Sequence, residues 1–153
     1  MPIAPMMPPT DTPILSAEEA AIRLTIAFVA GAFAGIERQW HHKNAGLRTH
    51  TLVALGAATF TMVSMLGLGP TSNPMLIAAG VVTGIGFIGG GVIMHQGPTV
   101  QGINTAATLW TTASIGMAAG AGYYTVMALV FAALLLVQFP LGWLETWIDR
   151  RSE

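Results

Sequence analysis

The chain has 153 residues, 53% of them hydrophobic and only 8% charged, with a formal net charge of −1. From Thr49 to Leu144 there is no Asp, Glu, Lys or Arg, which excludes a soluble domain there, because a water-facing surface needs charge. The absence of cysteine excludes disulfides and thiolate metal sites, and the near-zero net charge argues against a nucleic-acid partner.

What remains is an all-α integral membrane bundle surrounded by the lipid bilayer. Residues 1–15 read as a disordered tail: "MPIAPMMPPTDTP" is Pro-rich and lacks the basic start and apolar run of a signal peptide. Residues 16–148 read as the transmembrane domain and 149–153 as a short cytoplasmic tail. Ser16 and Glu19 have the spacing of a capping box and should start helix 1, which runs to about Trp40. Arg23 lies one turn after Glu19, within pairing reach. It can also snorkel to the near interface. Helix 2 is expected from about Arg48 to Leu66, followed by the turn "GLGPTSNP" (67–74). Helix 3 is expected from about Met75 to Met94, followed by the loop "HQGPTVQG" (95–102). Helix 4 should cover Asn104 to Ala119. Helix 5 should run from Tyr123 to about Trp147, its tyrosines at one membrane interface and Trp143 and Trp147 at the other. Its apolar run of about 20 residues, at ~1.5 Å each, spans about 30 Å.

Of the basic residues, Arg38, Lys43, Arg48, Arg150 and Arg151 fall on one side of this five-helix layout. The positive-inside rule makes that side cytoplasmic, with the N-terminus outside. The segment "GIERQWHHKNAGLRTHTL" (35–52) is then the main cytoplasmic loop region, and its His41, His42 and Lys43 read as solvated loop residues. "AGLRTHTL" and "QGINTAATL" share a Gly-[Leu/Ile]-x-Thr form fifty-six residues apart, and Gly35 and Gly91 share that offset. Two readings stand: a parallel repeat of helical hairpins, a known transporter device, or chance.

The glycine pairs Gly31/Gly35, Gly80/Gly84, Gly86/Gly90 and Gly116/Gly120 have GxxxG spacing. Such pairs let helix backbones approach closely in lipid. Packing within the bundle is the first reading, extended to Gly91, and a homodimer interface is the second. The dense "GIGFIGGG" (84–91) also fits a partly unwound segment beside a cavity.

Glu37 near the end of helix 1 and Arg48 at the start of helix 2 each oppose the helix macrodipole, at a cost of about 0.3–1 kcal/mol. An ion pair between them would cancel both penalties. Arg38 is a poorer partner, because neighbouring helix residues point to different faces. A solvated interfacial pair is the bland outcome; a buried pair guarding a polar pocket is the functional one. Asn104 suits an N-cap. Thr105 and Thr108 share a face behind it, and Thr111 and Thr112 continue the polarity. Glu37, Arg38, Arg48, Thr49, Asn104, Thr105 and Thr108 are thus the candidate polar membrane cluster. No catalytic constellation and no cofactor are expected. One acid is too few for a divalent cage, so any Mg²⁺ interaction near Glu37 would be weak.

The blocks "GAFAGIER" (31–38), "AGLRTHTLVA" (45–54), "GIGFIGGGVIM" (84–94) and "GINTAATLWTTASI" (102–115) closely resemble the MgtC/SapB family of bacterial inner-membrane proteins. The resemblance covers about residues 20–145. It implies a membrane part of about five helices and a link to growth at low magnesium and survival inside macrophages. It also implies a non-catalytic regulator of other membrane proteins, the membrane sector of the proton-translocating ATP synthase among them. A Mg²⁺ or other cation transporter or channel is the alternative. By the same resemblance, the positions of Glu37, Asn104 and Thr105 are functionally sensitive. Many relatives carry a C-terminal ACT-like domain, whereas this sequence stops at Glu153, so control through that domain is not expected here. Many also have Cys where this chain has Thr111.

Overall fold

The structure, a computed structural model, describes residues 15–66, 73–96 and 99–152. Residues 67–72 of the turn predicted at 67–74, and nearly all of the predicted N-terminal tail, lie outside the described residues; Asn73 and Pro74 instead cap and start the third helix. Helix α1 covers Ala17–Trp40, α2 Leu47–Met65, α3 Pro74–Val92 and α4 Ile103–Gly120. α5 covers Tyr124–Leu136 and passes through a π-helical turn, Val137–Leu141, into α6, Gly142–Ser152.

The N-terminal cap forms as its spacing predicts. Ser16 Oγ accepts from the Glu19 amide at 3.1 Å. Glu19 turns forward and pairs with Arg23. Arg23 also donates to the carbonyl of Gly120 at 2.6 Å, closing an orphan carbonyl at the end of α4.

α1, α3 and the α5–α6 unit each contain a stretch long and apolar enough to cross a membrane: Ala17–Trp40, Met75–Val92 and Tyr124–Leu144. α2 and α4 have 19 and 18 residues, about 27 Å or more of helix. They carry more polar side chains, several of which they turn toward other helices. Thr105, Thr108 and Thr112 of α4 are all buried, while Phe87 of α3 and Leu129 of α5 point outward. This is how a bundle in lipid must distribute polarity.

Close backbone contact holds α1, α2 and α4 together. A Cβ on Gly31 would lie 2.8 Å from that of Ala54, and one on Gly35 would lie 2.6 Å from Leu47 Cα. On α4, a Cβ on Gly116 would sit 2.9 Å from Ala54 Cα, and one on Gly120 would sit 2.8 Å from Ala58 Cα. Ala27, Ala34, Ala54, Ala58 and Ala119 fill the seams between them and are fully buried.

α3 behaves differently. Its bundle-facing stripe is Val81, Ile85, Gly89 and Val92, spaced by four, four and three residues. The predicted packing glycines Gly80, Gly84, Gly86, Gly90 and Gly91 fall to either side of that stripe, and a Cβ on any of them would meet nothing within 4 Å. They do not pack the bundle, which corrects the first reading of their spacing. Gly35 and Gly91, matched in the proposed repeat, thus have different surroundings. "GIGFIGGG" is continuous helix and not an unwound segment.

Three further expectations change. The loop after α3 contains a two-stranded antiparallel hairpin, Met94–Gln96 with Thr99–Gln101. Helix 5 is not uniform. Pro140 has no amide to donate and crowds the preceding turn, and the chain widens into the π-turn around it. The expected tail at 149–153 is helical through Ser152.

Candidate functional site

The end of the bundle where α1 turns into α2 also holds the start of α4 and the π-turn leading into α6. A cavity of about 550 Å³ opens there. Its polar wall includes Glu37, Arg38, Asn104 and Gln138, with Lys43 and Arg150 also lining it.

Glu37 and Arg38 are adjacent yet both buried, at 8% and 4% exposure. The last turn of α1 is enclosed on two sides, by α2 and α4 and by the α5 unit, so two neighbouring faces go inside. Arg38 Nη2 donates to Thr105 Oγ1 at 2.7 Å, and Nη1 lies 4.0 Å from Glu37 Oε2. His41 Nδ1 lies 3.0 Å from Glu37 Oε1 and 3.0 Å from the Glu37 carbonyl. Both neighbours are acceptors, so Nδ1 carries the proton and donates.

The expected Glu37–Arg48 pair does not form. Arg48 is exposed at the start of α2, where water screens its opposition to the helix dipole. Arg38, which neighbour geometry disfavoured, takes its place. Thr49 also leaves the cluster and lines an apolar groove between α2 and α3. Asn104 is not the N-cap of α4. Gly102 caps it, with φ of 93°, and Asn104 sits inside the helix on the cavity wall. Thr108 donates to the Asn104 carbonyl at 2.7 Å. Glu37, Arg38, Asn104, Thr105 and Thr108 are therefore brought together, while Arg48 and Thr49 are not.

His50 and Gln138 are buried polar residues that the sequence does not single out. His50 is fully buried on α2, and its Nδ1 lies 2.8 Å from Thr112 Oγ1. Thr112 in turn donates to the Thr108 carbonyl at 2.8 Å. The signal was its spacing: His50, Ala54 and Ala58 form one i, i+4, i+8 stripe. Gln138, in the π-turn, donates from Nε2 to the carbonyl of Ala34 at 3.0 Å. A lone amide two residues before Pro140 in an apolar run was the mark to follow.

The polar seam runs from the cavity through Arg38–Thr105 and Thr108 to Thr112–His50, about 10 Å along α4. Beyond it, Gly116, Ala119 and Gly120 press on Ala54, Ala58 and Ala27. Among the described residues, no three His, Asp or Glu side chains group as metal ligands. Glu37, with a guanidinium 4.0 Å away, is a poor centre for a hard divalent cation.

A helical bundle with buried polar residues, three helices long and apolar enough to cross a membrane and a basic-mouthed pocket at one end defines a membrane protein. The MgtC family model matches residues 24–147, and the chain belongs to the MgtC family. An uncharacterized protein of Synechocystis is 48% identical over 133 residues, 87% of this chain and 56% of that protein. Protein MgtC of Brucella abortus is 49% identical over 111 residues, 72% of this chain and 46% of the relative. Protein MgtC of Salmonella typhimurium is 52% identical over 103 residues, 67% of this chain and 44% of the relative. The chain spans about half the length of these curated relatives. No solved structure matches it.

Proposed function

We propose that this chain is a multi-pass protein of the bacterial inner membrane that regulates other membrane proteins in magnesium and ion homeostasis, without catalysis and with its basic end in the cytoplasm. The observation that supports a regulator over a transporter is the end of the polar seam. It stops at Thr112 and His50, and the next two turns of α4 are sealed by glycine and alanine backbone contact with α2. A cation crossing this stretch would meet glycine and alanine where it needs oxygen ligands to replace its water.

The test is flux of Mg²⁺, Na⁺ and H⁺ in proteoliposomes holding purified, folded protein, with Glu37→Gln beside the wild type. No flux above empty liposomes is expected. Saturable flux lost in Glu37→Gln would overturn the regulator reading in favour of a cation transporter. Crosslinking in native membranes then identifies the protein it holds, with the membrane sector of the ATP synthase the first candidate.

A further inference from the structure

The cavity at the basic end has two kinds of wall. One carries charge and amide groups; the other is Val137, Phe139 and Leu141, all more than half exposed on the outer surface of the bundle, with Trp143 and Trp147 beside them. A pocket polar inside and open toward acyl chains has the layout of a lipid head-group site.

The buried polar atoms narrow the chemistry. Glu37 Oε2 and Gln138 Oε1 are buried acceptors without a hydrogen-bond partner among the described residues. Their side chains are about nine-tenths buried. Leaving two acceptors unsatisfied in a dry site is costly. Both side chains line the cavity and their terminal torsions are soft, so a donor cation seated there answers both acceptors. Lys43 and Arg150 stand ready for an anion in the same cavity, and Arg38 Nε is a buried donor without a partner among the described residues. A purely anionic group answers the bases and repels Glu37; a bare cation does the reverse. A group holding a primary ammonium and a phosphate a few bonds apart answers both.

We propose that this cavity binds the ethanolamine-phosphate head group of a phospholipid, with the ammonium on Glu37 and Gln138, the phosphate on Lys43 and Arg150, and the acyl chains along Val137, Phe139 and Leu141. A choline head group is the discriminating control. Its quaternary nitrogen keeps the charge and has no N–H to give, so attraction to the tryptophans survives and the missing donor is not supplied.

The test is native mass spectrometry of the delipidated full chain with equimolar phosphatidylethanolamine, phosphatidylglycerol and phosphatidylcholine of matched chains. Phosphatidylethanolamine is expected to be retained about tenfold over phosphatidylcholine, the value of one charge-assisted hydrogen bond. Gln138→Leu and Glu37→Gln should remove that preference, while Lys43→Gln with Arg150→Gln should weaken retention of ethanolamine and choline lipids alike. Equal retention of the three lipids by the wild type would overturn the proposal even if a variant failed to fold. Preference for phosphatidylglycerol would make the cavity a plain anion site and overturn it too. Displacement of the lipid by soluble phosphoethanolamine at equal concentration would assign the site to a free metabolite instead.

Discussion

Two sets of glycines with the same spacing have opposite surroundings in this protein. Gly31, Gly35, Gly116 and Gly120 lie where α1, α2 and α4 touch backbone to backbone. Gly80, Gly84, Gly86, Gly90 and Gly91 lie on α3 with open space where a side chain would be. GxxxG spacing therefore marks a surface able to pack closely, and the rest of the fold decides whether anything packs there. One substitution, Gly→Ala, separates the two sets by sign.

Gly35→Ala and Gly116→Ala should give the largest effect. Each forces a methyl into neighbouring backbone, for about 3 kcal/mol of lost stability, the upper end for overpacking. Denaturant unfolding in detergent, followed by circular dichroism, reads it. Thr105→Val keeps the side chain's shape and removes the acceptor from the buried Arg38 guanidinium. It should cost about 1.5–3 kcal/mol in the same assay. Gly86→Ala and Gly90→Ala should move the other way, stabilising by about 0.5–1 kcal/mol each because alanine is the better helix former. A loss at those positions would show that α3 packs against something outside the chain. Thr112→Val removes a neutral interhelical bond to His50 and should cost about 0.6 kcal/mol, typical inside a bundle in lipid.

The sequence was legible where one element decided the outcome. The uncharged run from Thr49 to Leu144 announced lipid, Ser16 announced the start of α1, and the Glu19–Arg23 pair followed from a one-turn spacing. Partner choice between helices was harder to read. The macrodipoles of α1 and α2 favour a Glu37–Arg48 pair, but the end of α1 is enclosed on two sides, which brings Arg38 inside as well. Helical periodicity alone could not tell which stripe of α3 would face α4. The neighbours of Gln138 read as plain lipid-facing helix. Pro140 and the π-turn it provokes redirect the amide onto α1.

The polar seam opens at one end only and is closed at mid-bundle by the α2–α4 contact. Since the chain has no cysteine, single cysteines can report water directly. Asn104→Cys, Thr112→Cys and Ala58→Cys in proteoliposomes would be exposed to a water-soluble maleimide, with mass spectrometry counting the labelled fraction. Rapid labelling is expected at Asn104 and almost none at Thr112 or Ala58 in the folded protein. Labelling at all three with similar rates would mean a water path through the core and would contradict that closure.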